Sequence, residues 1–215
     1  KEPKAFVKRA RLPQAEDSAP MRVSRIKAPI VPPAFPKEPD MNKNVQKLTY
    51  SALYLAIALI LPFLTGQIPQ VGSMLCPMHI PALLCGFVCG WGWGLAVGFV
   101  SPLLRSVLFG MPDMFPTAVS MAFELAVYGA AAGVLYRTLP KKTSSVYLTL
   151  VVSMTAGRLV WGVIRYLLAG LAHSTFTPTL FLAGAVTTAI PGIILQLILI
   201  PALVIAMDKA HLILD

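Results

Sequence analysis

The chain has 215 residues, 56% of them hydrophobic and only 13% charged, and a formal net charge of +9. Eleven of its 18 Lys/Arg fall at or before Lys47, so the basic excess belongs mostly to the first stretch and the remainder is apolar. That distribution excludes a soluble reader of nucleic acid and fits a membrane protein whose basic segment lies against anionic lipid.

Residues 1–40 are Pro-rich, charged and without periodicity, with Pro32-Pro33 and Pro36-Lys37-Glu38-Pro39 among them. Such a segment buries too little apolar surface to offset the entropy of ordering it. The expectation is a disordered basic tail, either a membrane-surface arm or fusion-derived sequence, ahead of a membrane domain over residues 41–215. Met41-Asn42-Lys43-Asn44 reads like the first residues of a bacterial membrane protein.

Leu48 to Thr65 is the first expected span, about as long as a bilayer requires. Ala52 and Ala56 lie four apart on it, a small-residue face that lets another helix approach closely. Gly66 to Met78 reads as an uncharged outer loop. His79 to Gly90 is too short to span upright and is expected as a tilted second helix. Gly90-Trp91-Gly92-Trp93-Gly94 reads as a turn with interfacial tryptophans. Gly94 to Phe109 is the third helix, with Gly94, Gly98 and Pro102 spaced by four. A turn at Gly110-Met111-Pro112-Asp113 leads to a fourth helix, Pro116 to Leu139, which Pro140-Lys141-Lys142 ends. Ser145 to Leu171 is the fifth. Pro178 to Met207 is the sixth, interrupted at Pro191-Gly192 and again at Pro201.

The fold class expected is therefore an all-α integral membrane protein with six transmembrane helices. Lys43, Lys47, Arg137, Lys141, Lys142 and Lys209 all fall on one side of such a chain, and the opposite loops hold no Lys or Arg. The positive-inside rule then puts both termini in the cytoplasm. Cys76, Cys85 and Cys89 form no disulfide framework; Cys85 and Cys89 read as small buried residues on the second helix.

Four ionisable side chains lie inside the expected spans: Arg105, Glu124, Arg158 and Arg165. A charge at the bilayer centre costs roughly 2.5–3.5 kcal/mol on insertion scales. Groups kept at that cost face a partner, a cavity or a solute. Arg158, Trp161 or Gly162, and Arg165 share one face of the fifth helix, and Glu124 and Tyr128 one face of the fourth. Glu124 either neutralises one arginine as scaffold or joins a solute site. With three arginines to one carboxylate, Arg158 or Arg165 is the better candidate to meet a ligand. His79 is a further candidate, and so is Gln196, the only amide in the last three helices. Met74, Cys76, Met78 and His79 offer soft ligands, but their spacing is not that of a closed metal site, and none is expected. No P-loop and no nucleophile–base pair is legible, so neither a cofactor nor an enzymatic role is expected.

Several short stretches together resemble the substrate-binding S components of energy-coupling factor (ECF) transporters, which import vitamins and related micronutrients in bacteria. They are Lys47-Leu48-Thr49-Tyr50-Ser51-Ala52-Leu53 leading into Ile60-Leu61-Pro62-Phe63, Pro77-Met78-His79-Ile80-Pro81, Ser101-Pro102-Leu103-Leu104-Arg105, Gly110-Met111-Pro112, Met121-Ala122-Phe123-Glu124-Leu125 and Tyr128-Gly129. The resemblance runs from about Met41 onward. It implies a six-helix bundle in the bacterial plasma membrane that captures a vitamin-like small molecule from outside. The outer loops over residues 66–78 and 110–116 would form a lid. Ala52 and Ala56 would face a transmembrane coupling protein, and two ATPase subunits would power import. The competing expectation is a stand-alone secondary transporter or channel, whose mark would be paired half-repeats with matching broken helices.

Overall fold

A computed structural model describes residues 42–65, 74–171, 177–184 and 189–214. The expected tail over residues 1–40 lies outside the described residues, as do residues 66–73 and 172–176 of the two outer loops. Among the described residues every regular element is helical. Helix α1 (Lys43–Ile60) runs into a 3-10 turn, Leu61–Thr65. Helices α2 (His79–Cys89) and α3 (Trp91–Phe109) follow, and a π turn at Met114–Ala118 leads into α4 (Val119–Thr138). Then come α5 (Thr143–Leu171), the short α6 (Pro178–Leu182) and α7 (Ile190–Lys209).

Five segments are long and apolar enough to cross a membrane: Lys43–Leu64, Trp91–Phe109, Met114–Thr138, Thr143–Leu171 and Ile190–Lys209. The expected second span differs in kind. At 1.5 Å per residue, the 11 residues of α2 rise about 16 Å, roughly half of a hydrocarbon core. All of them are buried. Helix α2 packs against α1, α3, α4 and α7 and forms the centre of the bundle rather than a lipid-facing wall. The lipid-type surfaces lie on the outer helices, where Leu53 and Ile57 of α1, Leu159 and Val163 of α5 and Ile198 of α7 are exposed.

Three expected breaks are corrected. Only Gly90, with φ 98°, interrupts the chain between α2 and α3; Trp91 already begins the next helix, because one glycine suffices for the reversal. Pro191 stands in the first turn of α7, where its missing N–H costs nothing, so Pro191-Gly192 starts a helix instead of breaking one. Pro201 sits inside α7, which runs on to Lys209. Of the expected helix from Pro178, α6 and α7 are described, and residues 185–188 between them lie outside the described residues.

Helix directions follow from the side-chain pairs. Arg105 of α3 reaches Leu59 of α1, and Phe63 and Phe109 meet edge to face with centroids 5.0 Å apart, so α1 and α3 run the same way. At the other end the Leu214 N–H donates to the Val88 carbonyl at 3.0 Å, and Arg137 Nη2 donates to the Leu214 carbonyl at 2.8 Å. That end gathers the start of α1 and the ends of α2, α4 and α7, and with them Lys43, Arg137 and Lys209.

Helices α2, α3 and α4 touch backbone to backbone. A Cβ placed on Gly98 would fall on the Leu125 carbonyl, one on Gly94 on Gly86 and Gly129, and one on Gly129 on Gly94. Small residues permit this approach where apolar side chains would hold helices apart. Gly98→Val is therefore expected to lower thermal stability in detergent by at least the ~1–3 kcal/mol of an overpacked core. Gly92→Ala, in the same helix with no atom near its added Cβ, is expected to leave the melting temperature unchanged. Equal melting of the two variants would mean that these backbones are not in contact.

Candidate functional site

Helix α2 starts deep because the chain enters it from a buried, non-helical segment. Cys76, Pro77 and Met78 are buried, and Cys76 has φ 47°. The expected outer loop is thus, in its last part, an interior segment. Irregular backbone inside an apolar bundle is tolerated where protein encloses it or where it lines a cavity. Here the Cys76 carbonyl accepts from the His79 N–H at 3.1 Å, and the backbone of Met74 and Leu75 lies against Gly192 of α7.

Glu124 stands on α4 beside this segment, 1% exposed. Its Oε1 collects three neighbours from three elements. Arg158 Nη1 of α5 lies 2.9 Å away and Tyr128, one turn on along α4, donates its hydroxyl at 3.1 Å. His79 Nε2 lies at 3.4 Å, without the geometry of a hydrogen bond. Arg158 Nη2 donates to Cys76 Sγ at 3.5 Å. The His79 ring stands edge to face on Tyr128, centroids 5.2 Å apart. Gly157 makes this convergence possible: a Cβ there would collide with the Tyr128 ring. Its absence lets α5 come close enough for the next residue, Arg158, to reach the carboxylate.

The six side chains expected from sequence fall into distinct places. His79, Glu124 and Arg158 are brought together. Arg165, seven residues beyond Arg158, donates from Nη1 to Thr117 Oγ1 at 3.2 Å, in the π turn ahead of α4. Gln196 is 1% exposed on the inward stripe of α7 that also carries Gly192, Ile200 and Val204. Arg105 does not join the cluster. It donates from Nη1 to the Leu59 carbonyl at 2.5 Å, and its guanidinium lies 4.9 Å from the Phe63 ring centroid and 5.3 Å from that of Phe109. Leu59 lies in the last turn of α1, where a helix leaves carbonyls for partners outside it, and Arg105 supplies one such donor.

Cys76, Tyr128 as a direct partner, and Gly157 were not expected as members. Tyr128 was visible one turn from Glu124. Cys76 was visible three residues before His79, as a soft ligand beside it; Gly157 carries no signal in a single sequence, since it is an ordinary helix glycine.

The cluster carries one carboxylate and one guanidinium, so it is close to electrically balanced. Three of its polar atoms have no hydrogen-bond partner among the described residues, both ring nitrogens of His79 and Arg158 Nε; Gln196 Oε1 on α7 and the hydroxyls of Thr149 and Ser153 on α5 have none either. Buried polar groups are nearly always paired, so a set of orphans at one place marks where something else binds, water or solute. Among the described residues no three His, Cys, Asp or Glu side chains converge to hold a metal ion.

Comparison with curated proteins and with solved structures gives no match. A family model does match: that of the ECF transporter, substrate-specific component, over residues 46–204. The match takes in α1 to most of α7, with the Glu124 cluster inside it. The chain belongs to the family of substrate-specific components of ECF transporters.

Proposed function

We propose that this chain captures one vitamin-like micronutrient outside a bacterial cell and delivers it inward with a transmembrane coupling protein and two ATPase subunits. Its six helices, α2 counted as a half-depth central one, would lie in the plasma membrane with both termini cytoplasmic. The gathering of basic residues at one end of the bundle supports that orientation. Glu124, Arg158 and His79 would hold the solute, with Gln196 from α7 and Arg165 at the outer rim. Arg105 is left out of this set, because its contacts are spent on the end of α1.

The observation that carries the reading is the Glu124 cluster itself. It sits beside a buried irregular segment of an apolar bundle, with polar atoms left unmet. A buried ion pair is a poor device for stability alone, since a well-packed apolar pair often does as well or better.

Ala52 and Ala56 are exposed on α1, beside the exposed Leu53 and Ile57. This small-residue face fits the docking of the coupling protein. Two expectations follow from these placements. Ala52→Trp or Ala56→Trp should abolish uptake in cells while the isolated subunit still binds solute, because a bulky ring blocks helix approach far from the cluster. Uptake at the wild-type rate in both variants would remove this face as the coupling surface. For the cluster, Glu124→Gln alone should destabilise the bundle by about 3–5 kcal/mol, because it leaves Arg158 buried and unpaired. Adding Arg158→Gln should recover most of that loss yet leave solute affinity poor. Melting temperature and affinity in detergent measure both, and a stable double variant with unchanged affinity would make the pair scaffolding.

A further inference from the structure

We infer that the solute meets the Glu124 cluster with an uncharged group that carries an N–H or O–H donor beside an acceptor, such as an amide, a hydroxyl or a nitrogen heterocycle, and not with a carboxylate or phosphate. This rests on the reading that the cluster holds the solute. The first reason is charge. Arg158 already faces Glu124 at 2.9 Å, so its positive charge is spent, and an incoming anion would meet the carboxylate in apolar surroundings. The second is the inventory of unmet atoms. The Arg158, Tyr128 and His79 neighbours all converge on Oε1 of Glu124, and its Oε2 accepts no hydrogen bond among the described residues. Gln196 Oε1 likewise accepts none. These two oxygens call for donors on the ligand. Arg158 Nε has a proton to give and no acceptor, and His79 and the Ser153 hydroxyl each give or accept. They call for an acceptor beside those donors.

Ser153 and Gln196 stand on helices that flank the cluster. Ser153 lies one turn from Gly157, which touches Tyr128, and Gln196 lies one turn from Gly192, which touches Met74 and Leu75. Helices α2, α4, α5 and α7 thereby each turn at least one unmet or half-met polar group inward. A carboxylate-only ligand would accept from Arg158 and His79 but leave Glu124 Oε2 and Gln196 Oε1 without donors, and burying a polar atom unpaired is unfavourable.

Wild-type protein and the Glu124→Gln/Arg158→Gln variant, purified in parallel in detergent from the same cells, provide the test. Small molecules released by heating are identified by mass spectrometry. The expected result is a molecule present on the wild type and reduced at least about 100-fold on the double variant. That molecule should bear an uncharged donor–acceptor group. Ser153→Ala removes one unmet hydroxyl and no charge, and covers the case in which the double variant misfolds; it should retain about 10-fold less of the same molecule. A depleted molecule whose only polar groups are carboxylates or phosphates overturns the inference and leaves the site standing. Equal amounts of the same molecules on all three proteins overturn the site and the inference together.

Discussion

The ion pair between Glu124 and Arg158 is the constraint to which the surrounding architecture answers. A carboxylate that is 1% exposed in an apolar bundle must be matched where it stands. Matching it requires α5 to lie against α4 at close range, which Gly157 permits. It also requires the chain before α2 to dip inward, so that His79 and Cys76 complete the shell around the two charges. The short α2 follows from that dip.

The glycine contacts among α2, α3 and α4 work in the same direction. Without a hydrophobic force between helices in lipid, close van der Waals contact does most of the joining. Gly86, Gly94, Gly98 and Gly129 bring three backbones into contact. Arg105 fastens a different joint. It donates to the Leu59 carbonyl in the last turn of α1 and lies against the Phe63 and Phe109 rings. Two arginines in one small bundle therefore do separate tasks: one caps a helix end, and the other faces a carboxylate.

The surfaces proposed for solute and for partner fall on different parts of this chain. The polar interior lies among α2, α4, α5 and α7. The small, exposed face of α1 lies on the outside of the bundle.

Much was legible in the sequence. Apolar length marked the first, third, fourth and fifth helices, and the one-sided lysines and arginines grouped the ends that the structure brings together. Insertion cost singled out Glu124 and Arg158, and those two residues do meet. Local pattern determines these features, because the bilayer judges each segment by its own length and charge. Pairing is another matter. That Arg158 rather than Arg105 reaches Glu124, that Cys76 and His79 belong with them, and that α2 lies enclosed in the bundle all depend on which backbones approach one another. That approach is set by single glycines on different helices, Gly157 against Tyr128 and Gly98 against Leu125, whose partners lie tens of residues away. No local period carries that information, so only the tertiary structure decided it.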